Sequence, residues 1–218
     1  MKKIDVIIPA LNEEKTVGQV VQAAKESAIA NQIIVVSDGS TDRTADVARK
    51  AGATVVENAT PKGKGAAILS GLLQTNSEHI LLLDADLKGL APEHMHQLAE
   101  PVLQGSCDMN IGLRDKGFFL TPLQKHLPLI SGERALKREI LEKIRPDFLQ
   151  GYMLETALNQ YCKAHGYKIA TTFLPKLSIV RKYQKVGIAA GLMGYGKMGI
   201  QLIRARVHIG VARIRGKF

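Results

Sequence analysis

Two aspartates with one residue between them, Asp84 and Asp86, follow four apolar residues in the segment ILLLDADL (80–87). An unpaired carboxylate inside a sheet is strongly destabilising, so acids at the end of a buried strand are either solvated or held for a cation. Carboxylate oxygens are hard ligands of the kind that Mg²⁺ and Mn²⁺ prefer. The pair is therefore a candidate site for a divalent cation, with a solvated turn as the alternative.

Two other apolar segments also end in polar residues, since DVIIP runs into ALNEE and QIIVVS runs into DGSTD. A further segment, TPKGKGAAI, carries Lys62 and Lys64 at the start of a predicted helix, where free N–H groups and the helix dipole favour phosphate. Ligands of open parallel sheets bind beyond the carboxyl ends of the strands, so these segments predict a crevice for a phosphate-bearing ligand. The sequence contains neither G-x-G-x-x-G after its first strand nor G-x-x-x-x-G-K-[ST], which argues against a nicotinamide cofactor and a P-loop.

The elements that must position these residues alternate along the chain. Unbroken runs of Val, Ile and Leu are typical of strands buried on both faces of a parallel sheet. Strands are expected at 5–9, 32–37, 53–58, 79–84 and 107–113, and helices at 13–30, 41–51, 63–75 and from Pro92 onward. This order predicts an α/β fold with a doubly wound, Rossmann-like, mainly parallel sheet flanked by helices. Residues 114–128 lack periodicity and are expected to form a long functional loop.

Composition limits the location and the partners. No segment reaches the ~20 consecutive apolar residues of a bilayer span and no signal peptide is visible, so we expect a cytoplasmic protein. The net charge is +10, with Lys and Arg concentrated in the second half, which indicates a phosphorylated small molecule or an anionic lipid as partner. Aromatic residues make up only 5% and no nucleic-acid motif is present, which argues against nucleic acid. Cys107 and Cys162 lack metal-ligand spacing and are expected to be buried thiols.

Four motifs in this order and spacing, VIIPALNEEKTV, IIVVSDGSTDRT, GKGAA and LLLDADL, resemble the GT-A glycosyltransferases of family 2. The similarity is weaker through SGERALKREIL and GYMLETALNQYCKAHGYKI, and it points to the dolichyl-phosphate-mannose-synthase-like and glucosyl-3-phosphoglycerate-synthase-like branches. The resemblance implies an enzyme that moves a sugar from a UDP- or GDP-sugar with the help of Mg²⁺ or Mn²⁺. The alternatives are a sugar-1-phosphate nucleotidyltransferase and a non-catalytic nucleotide-binding protein.

The resemblance also implies roles for donor-site residues. Asp86 would bind the cation that bridges the diphosphate, Asp84 would face the ribose, and Lys64 would approach the diphosphate. The base-binding first loop would include Pro9, Ala10, Asn12 and Glu14, and Asp38 would contact the nucleobase. Ser37 stands where many relatives have an aspartate, which affects the details of base recognition.

On the acceptor side, the resemblance assigns Gly132, Glu133 and Arg134, together with Glu155 as a general base for the acceptor hydroxyl. Thr156 follows Glu155 where a second acid is common in the family, so a helix-surface acid is the alternative. Val180 and Arg181 occupy the region where some relatives have a metal-binding histidine, so the cation would depend on Asp86 and the diphosphate.

The last part of the chain, residues 184–218, is basic and reads as mostly helical, beyond a glycosyltransferase domain at 1–183. Several basic residues near an anionic leaflet attract a protein to the membrane surface. This favours a peripheral enzyme at the inner face of the membrane that glycosylates a polyprenyl phosphate or another anionic lipid. A soluble phosphorylated acceptor such as phosphoglycerate is the alternative, and the segment could instead pair the subunits of a homo-oligomer.

Overall fold

A computed structural model describes residues 2–114, 131–149 and 153–179 of the chain. The helices are α1 (Val17–Glu26), α2 (Thr44–Ala51), α3 (Lys64–Leu72), α4 (Pro92–Leu103), α5 (Arg138–Lys143) and α6 (Met153–Ala164), with a 3₁₀ turn at Pro146–Leu149. The strands are β1 (Ile4–Ala10), β2 (Ala30–Asp38), β3 (Thr54–Asn58), β4 (His79–Leu82), β5 (Leu87–Lys88), β6 (Met109–Arg114), β7 (Arg134–Lys137), β8 (Ile169–Leu174) and β9 (Ser178–Ile179).

The main sheet has seven strands in the order β3-β2-β1-β4-β7-β6-β8. Strands β3, β2, β1 and β4 are parallel neighbours. Strand β7 runs antiparallel to both β4 and β6, whereas β6 and β8 are parallel. The short strands β5 and β9 pair separately. The predicted doubly wound, mainly parallel α/β sheet is confirmed.

Both faces of the sheet are buried because its central strands carry apolar side chains in succession. In β1, Ile4, Val6 and Ile8 pack with α1 and α4 on one face, whereas Ile7 packs with α3 and α6 on the other. All four side chains are fully buried. This two-sided burial explains why the strand sequences do not alternate.

The helices begin later than the sequence pattern predicts. Helix α1 starts at Val17, after Glu13 and Glu14, whose N–H groups donate to the side chains of Thr44 and Asp42. The fourth helix is confirmed, with Pro92 in its first turn. Strands β7 and β8 and the short strands β5 and β9 were not predicted from the sequence.

Several expectations concern residues outside the described ranges. Arg114, expected to open a long loop, instead ends β6, and residues 115–128 of that loop lie outside. The basic segment 184–218 and the domain boundary at 183 also lie outside. Among the described residues, none of the helices has the length and apolar character needed to cross a membrane. Cys107 and Cys162 are buried and not disulfide-bonded, as predicted.

Candidate active site

Parallel strands β1, β2 and β4 end at the same edge of the sheet, and the two loops that follow β1 and β2 are joined by hydrogen bonds. We call residues 11–16 the first loop and residues 39–43 the second loop. The N–H of Glu13 donates to Thr44 Oγ1 (2.8 Å), and the N–H of Glu14 donates to Asp42 Oδ2 (3.2 Å). In return, Glu14 Oε2 accepts from the N–H of Arg43 (3.2 Å). These contacts hold the predicted base-binding loop against the start of α2.

Asn12 is at the tip of the first loop in a left-handed backbone conformation, with φ of 56°. Its N–H donates to Ser40 Oγ (3.1 Å), and its side-chain oxygen accepts from the N–H of Thr41 (2.8 Å). Asparagine tolerates this conformation better than most residues. Pro9 and Ala10 precede it on β1, beside β2. The structure therefore places these residues together, and their contact with a base stays a prediction.

Asp38, the last residue of β2, is buried, and its carboxylate organises the loop before α3. It accepts from the N–H groups of Lys62 (3.0 Å) and Gly63 (2.7 Å) and from the side-chain amide of Asn58 (2.8 Å). The backbone turns sharply at Gly63, where φ is 93°. Asp38 thus fixes the point at which Lys64 enters α3, and its predicted nucleobase contact stays a prediction.

Lys64 lies between two carboxylates. Its Nζ is 2.7 Å from Asp84 Oδ1 and 2.9 Å from Glu155 Oε1. Burial acts against the charged form, yet the two anions raise the pKa of the Lys64 ammonium above its usual value. Lys64 therefore connects α3, the turn after β4 and α6.

Asp84 and Asp86 both lie in the turn that follows β4, and both are partly exposed. Burial would raise the pKa of Asp84, but Lys64 and Arg114 hold it below its usual value. The two acids are thus accessible from the crevice, as a cation site requires. Asp84 has Lys64 and Arg114 beside it, and the role of Asp86 as metal ligand stays a prediction.

The acceptor-side residues lie directly behind Asp84. Glu133 is fully buried, and its Oε1 is 3.3 Å from Arg114 Nη1, which is also 3.7 Å from Asp84 Oδ2. Burial, together with the charge of Asp84, raises the pKa of Glu133. Gly132 lies beside them, and a Cβ at this position would displace the Asp84 carboxylate.

Arg134 is buried under the site and does not face the crevice. Its Nε donates to the carbonyl of Ser131 (2.8 Å) and its Nη1 to Asn159 Oδ1 (2.7 Å), so it joins β7 to α6. Glu155 is also on α6 and is 6% exposed. It is therefore not a helix-surface acid, although its catalytic role stays a prediction.

Sequence reasoning missed the contact that Arg114 makes in the site. Arg114 was expected in a loop, and only the register of β6 against β7 brings it beside Glu133. Asp42 belongs to the DGSTD motif, yet its function here is to accept from the N–H groups of Glu14 and Thr44. Asp42 precedes the N-cap residue Arg43 and fixes the turn before α2 through the N–H and the hydroxyl of Thr44.

A divalent cation fits the donor set at this edge only with additional ligands. Within 2–114, 131–149 and 153–179, no group of three or more His, Cys, Asp or Glu side chains is placed to hold a metal ion. Asp86 offers hard carboxylate oxygens in a partly exposed turn. A cation bound there would take its remaining ligands from water or from a phosphate group.

Comparison with known proteins agrees with this architecture. The sequence pattern that defines Glycosyl transferase family 2 matches residues 5–156. The chain is 30% identical to glucosyl-3-phosphoglycerate synthase of Mycolicibacterium smegmatis. The aligned region covers 99% of this chain and 71% of that relative.

Solved structures give the same result. The glucosyl-3-phosphoglycerate synthase of Mycobacterium tuberculosis, crystallised with Mn²⁺, UDP-glucose and phosphoglyceric acid, superposes with a TM-score of 0.78 at 26% identity, over 95% of this chain and 79% of that one. The same enzyme with Mg²⁺ and UDP also gives 0.78, at 27% identity and the same coverage. The chain therefore belongs to glycosyltransferase family 2, and it is a glycosyltransferase with the GT-A fold.

Proposed function

We propose that this glycosyltransferase moves glucose from UDP-glucose to phosphoglycerate or a closely similar phosphorylated acid, with Mg²⁺ or Mn²⁺ as cofactor. One observation carries the proposal: the similarity to a synthase crystallised with Mn²⁺, UDP-glucose and phosphoglyceric acid extends over 95% of this chain. It thus includes the acceptor half of the site as well as the donor half. The lipid-phosphate acceptor and the membrane contact that the sequence favoured receive no such support.

The donor half would bind the nucleotide through the residues that the first two strands deliver. The first loop and Asp38 would hold the base, and Asp84 would face the ribose. Lys64 would neutralise the diphosphate, because an ammonium at the start of a helix adds to the helix dipole. Asp86 would hold the divalent cation, which supplies Lewis-acid stabilisation of the leaving diphosphate.

The contact between Glu155 and Lys64 bears on the stereochemistry. Inversion needs a base on the face of the sugar opposite to the leaving group. Glu155 Oε1 lies 2.9 Å from the ammonium that would bind the leaving diphosphate, so it is on the leaving-group side. This placement favours retention over the inversion that a general base would give.

Glu155 would then stabilise positive charge that develops on the sugar ring, since a carboxylate in a water-poor site is most effective against nearby charge. In this reaction the bond from the anomeric carbon to the diphosphate oxygen breaks, and the acceptor hydroxyl oxygen forms the new bond. The hydroxyl proton passes to the departing diphosphate. Retention can be checked by the anomeric coupling constant of the product in a proton NMR spectrum.

The function is tested with the purified chain, a panel of UDP- and GDP-sugars and either Mn²⁺ or Mg²⁺. Phosphoglycerate, glycerate and a short-chain polyprenyl phosphate are compared as acceptors, and products are identified by mass spectrometry. We expect UDP-glucose with phosphoglycerate to give the highest kcat/KM, and the loss of the acceptor phosphate to lower it. Preferential transfer to the polyprenyl phosphate would refute the acceptor assignment. The Asp86→Ala variant serves as the negative control, because it should transfer sugar to none of the acceptors.

A further inference from the structure

Arg114 occupies a position that no assigned role explains. It is the last residue of β6, and its side chain is only 11% exposed. Its Nη1 lies 3.3 Å from Glu133 Oε1 and 3.7 Å from Asp84 Oδ2. Both distances are those of ion pairs and not of aligned hydrogen bonds, so the guanidinium acts on the two carboxylates through its charge.

Glu133 provides a fixed anchor for this guanidinium. It is fully buried, and its second oxygen accepts from Ser131 Oγ (2.5 Å). The backbone of β6 packs closely against it, because a Cβ on Gly112 would lie 3.1 Å from Glu133 Cβ. Glu133 is thus held at its Cβ and at one carboxylate oxygen, and it places a buried negative charge beside the Arg114 guanidinium.

Two cations contact the Asp84 carboxylate, one at each oxygen. Lys64 Nζ is 2.7 Å from Oδ1, and Arg114 Nη1 is 3.7 Å from Oδ2. The two cations differ in what else they contact. Lys64 is at a helix start beside the proposed diphosphate site, whereas Arg114 is tied to the buried Glu133.

We propose that Arg114, anchored by Glu133, is a positioning residue that holds the Asp84 carboxylate in place for the nucleotide donor. A bound diphosphate competes with Asp84 for the Lys64 ammonium, and Arg114 is then the cation that stays with Asp84. Arg114 itself touches neither donor nor acceptor in this arrangement. The inference rests on the proposed function, because it needs a nucleotide beside Asp84.

A double-mutant cycle tests whether Arg114 acts through Asp84. The chain and its variants Arg114→Met, Asp84→Asn and the double variant are titrated with UDP and with GDP in the presence of Mn²⁺, by calorimetry. Asp84→Asn keeps the size of the side chain, so residual binding stays measurable. We expect Arg114→Met to raise the Kd about tenfold in the native background and less than about twofold in the Asp84→Asn background.

Lys143→Met serves as a charge-matched control, because it removes an exposed cation paired with Glu139. It should leave the Kd unchanged. Arg114→Lys keeps the positive charge and is expected to retain most of the binding. If Arg114→Met lowers the Tm, the same cycle is measured with Arg114→Lys. The smaller loss of UDP affinity that Arg114→Lys causes in the native background should disappear in the Asp84→Asn background.

The outcomes separate the inference from the function on which it rests. Equal losses in the two backgrounds would show that Arg114 acts independently of Asp84 and would overturn the inference alone. Binding of neither UDP nor GDP by the unaltered chain would overturn the proposed function, and the inference with it.

Discussion

At the scale of single residues, the Lys64 ammonium is the point where the two halves of the site meet. It contacts Asp84 on the donor side and Glu155 on α6, in both cases within 3 Å. A nucleotide diphosphate placed at the start of α3 would draw the same ammonium. Donor binding is therefore coupled to the environment of Glu155, since both depend on one cation.

Glu155→Gln should lower transfer far more than donor affinity. The amide keeps the size of the side chain but removes the negative charge that would stabilise the sugar ring. We expect kcat to fall about 100-fold while the Kd for UDP changes less than about threefold. Initial rates and calorimetry measure the two quantities. Glu142→Gln, on the exposed face of α5, is the control, and an unchanged kcat would reduce Glu155 to an ion-pair partner of Lys64.

Acidification should remove the contribution of Asp84 to stability. Burial opposes ionisation, but Lys64 and Arg114 hold the pKa of Asp84 below its usual value of 3.8. Because the pKa in the folded state is depressed, the stabilisation is present above the usual value and is lost as the pH falls through the folded pKa. The raised pKa of Glu133 acts in the opposite direction, because protonation of Glu133 relieves its repulsion with Asp84.

Urea denaturation of the native chain and of Asp84→Asn, from pH 7 down to pH 3, measures this effect. We expect the free energy of unfolding to differ by about 1 kcal/mol near neutral pH and the difference to shrink below about pH 4. Asp46→Asn, in an exposed pair with Arg49, should show little pH dependence. A difference between native chain and Asp84→Asn that does not change with pH would contradict the assignment.

At the scale of elements, the first and second loops behave as one unit. Each donates backbone N–H groups to side chains of the other or of its neighbouring helix, so neither loop can take its shape alone. Asn12 is central, because it both adopts the left-handed conformation and accepts from Thr41. If these loops bind the base, as the resemblance implies, their binding surface is formed before any ligand arrives.

Two substitutions of Asn12 separate these two properties. Asn12→Gly keeps access to the left-handed conformation but loses the side-chain acceptor, and should cost about 1 kcal/mol. Asn12→Ala loses both and should cost about 2 kcal/mol. Chemical denaturation measures the difference, and UDP affinity should fall in the same order. An alanine variant as stable as the glycine variant would show that the conformation of this residue is unimportant.

The sequence predicted the elements whose signal is local. The strands of the donor half were visible because each is an unbroken apolar run, and the structure brings their polar ends to the same edge of the sheet. Strand β7 was not visible, because its four residues, RALK, begin and end with a charge. The contact of Arg114 with Glu133 could not be predicted, because it depends on the register between β6 and β7 and not on spacing along the chain.

At the scale of the whole molecule, apolar packing accounts for the fold of the described residues. Throughout the part of the chain that the structure describes, no side-chain cluster could bind a metal ion alone, whereas two large apolar clusters cover both faces of the sheet. Metal affinity should therefore depend on the nucleotide. This separates the enzyme from proteins whose fold is stabilised by a structural metal.

Thermal unfolding in the presence of EDTA, Mn²⁺, UDP and Mn²⁺ with UDP tests this expectation. EDTA and Mn²⁺ alone should leave the Tm unchanged, whereas Mn²⁺ with UDP should raise it by mass action. At a ligand concentration of about 100 Kd the stabilisation is about 2.7 kcal/mol. In the Asp86→Ala variant, adding Mn²⁺ to UDP should no longer raise the Tm. In the Asp46→Ala variant, it should raise the Tm as in the native chain. A large rise with Mn²⁺ alone would reveal a metal site outside the proposed one.

Strand β7 gives the molecule a definite order of assembly. It lies between β4 and β6, although it follows β6 in the chain, so the facing edges of those two strands stay open until residues 134–137 insert between them. The strands that carry the nucleotide loops are complete by residue 82, whereas Glu133 and Glu155 emerge later from the ribosome. During synthesis, the nascent chain would acquire its means of holding a sugar nucleotide well before its means of transferring the sugar. The gap between β4 and β6 would be filled only after the donor half is made, and β8 would be added last at the edge of the sheet.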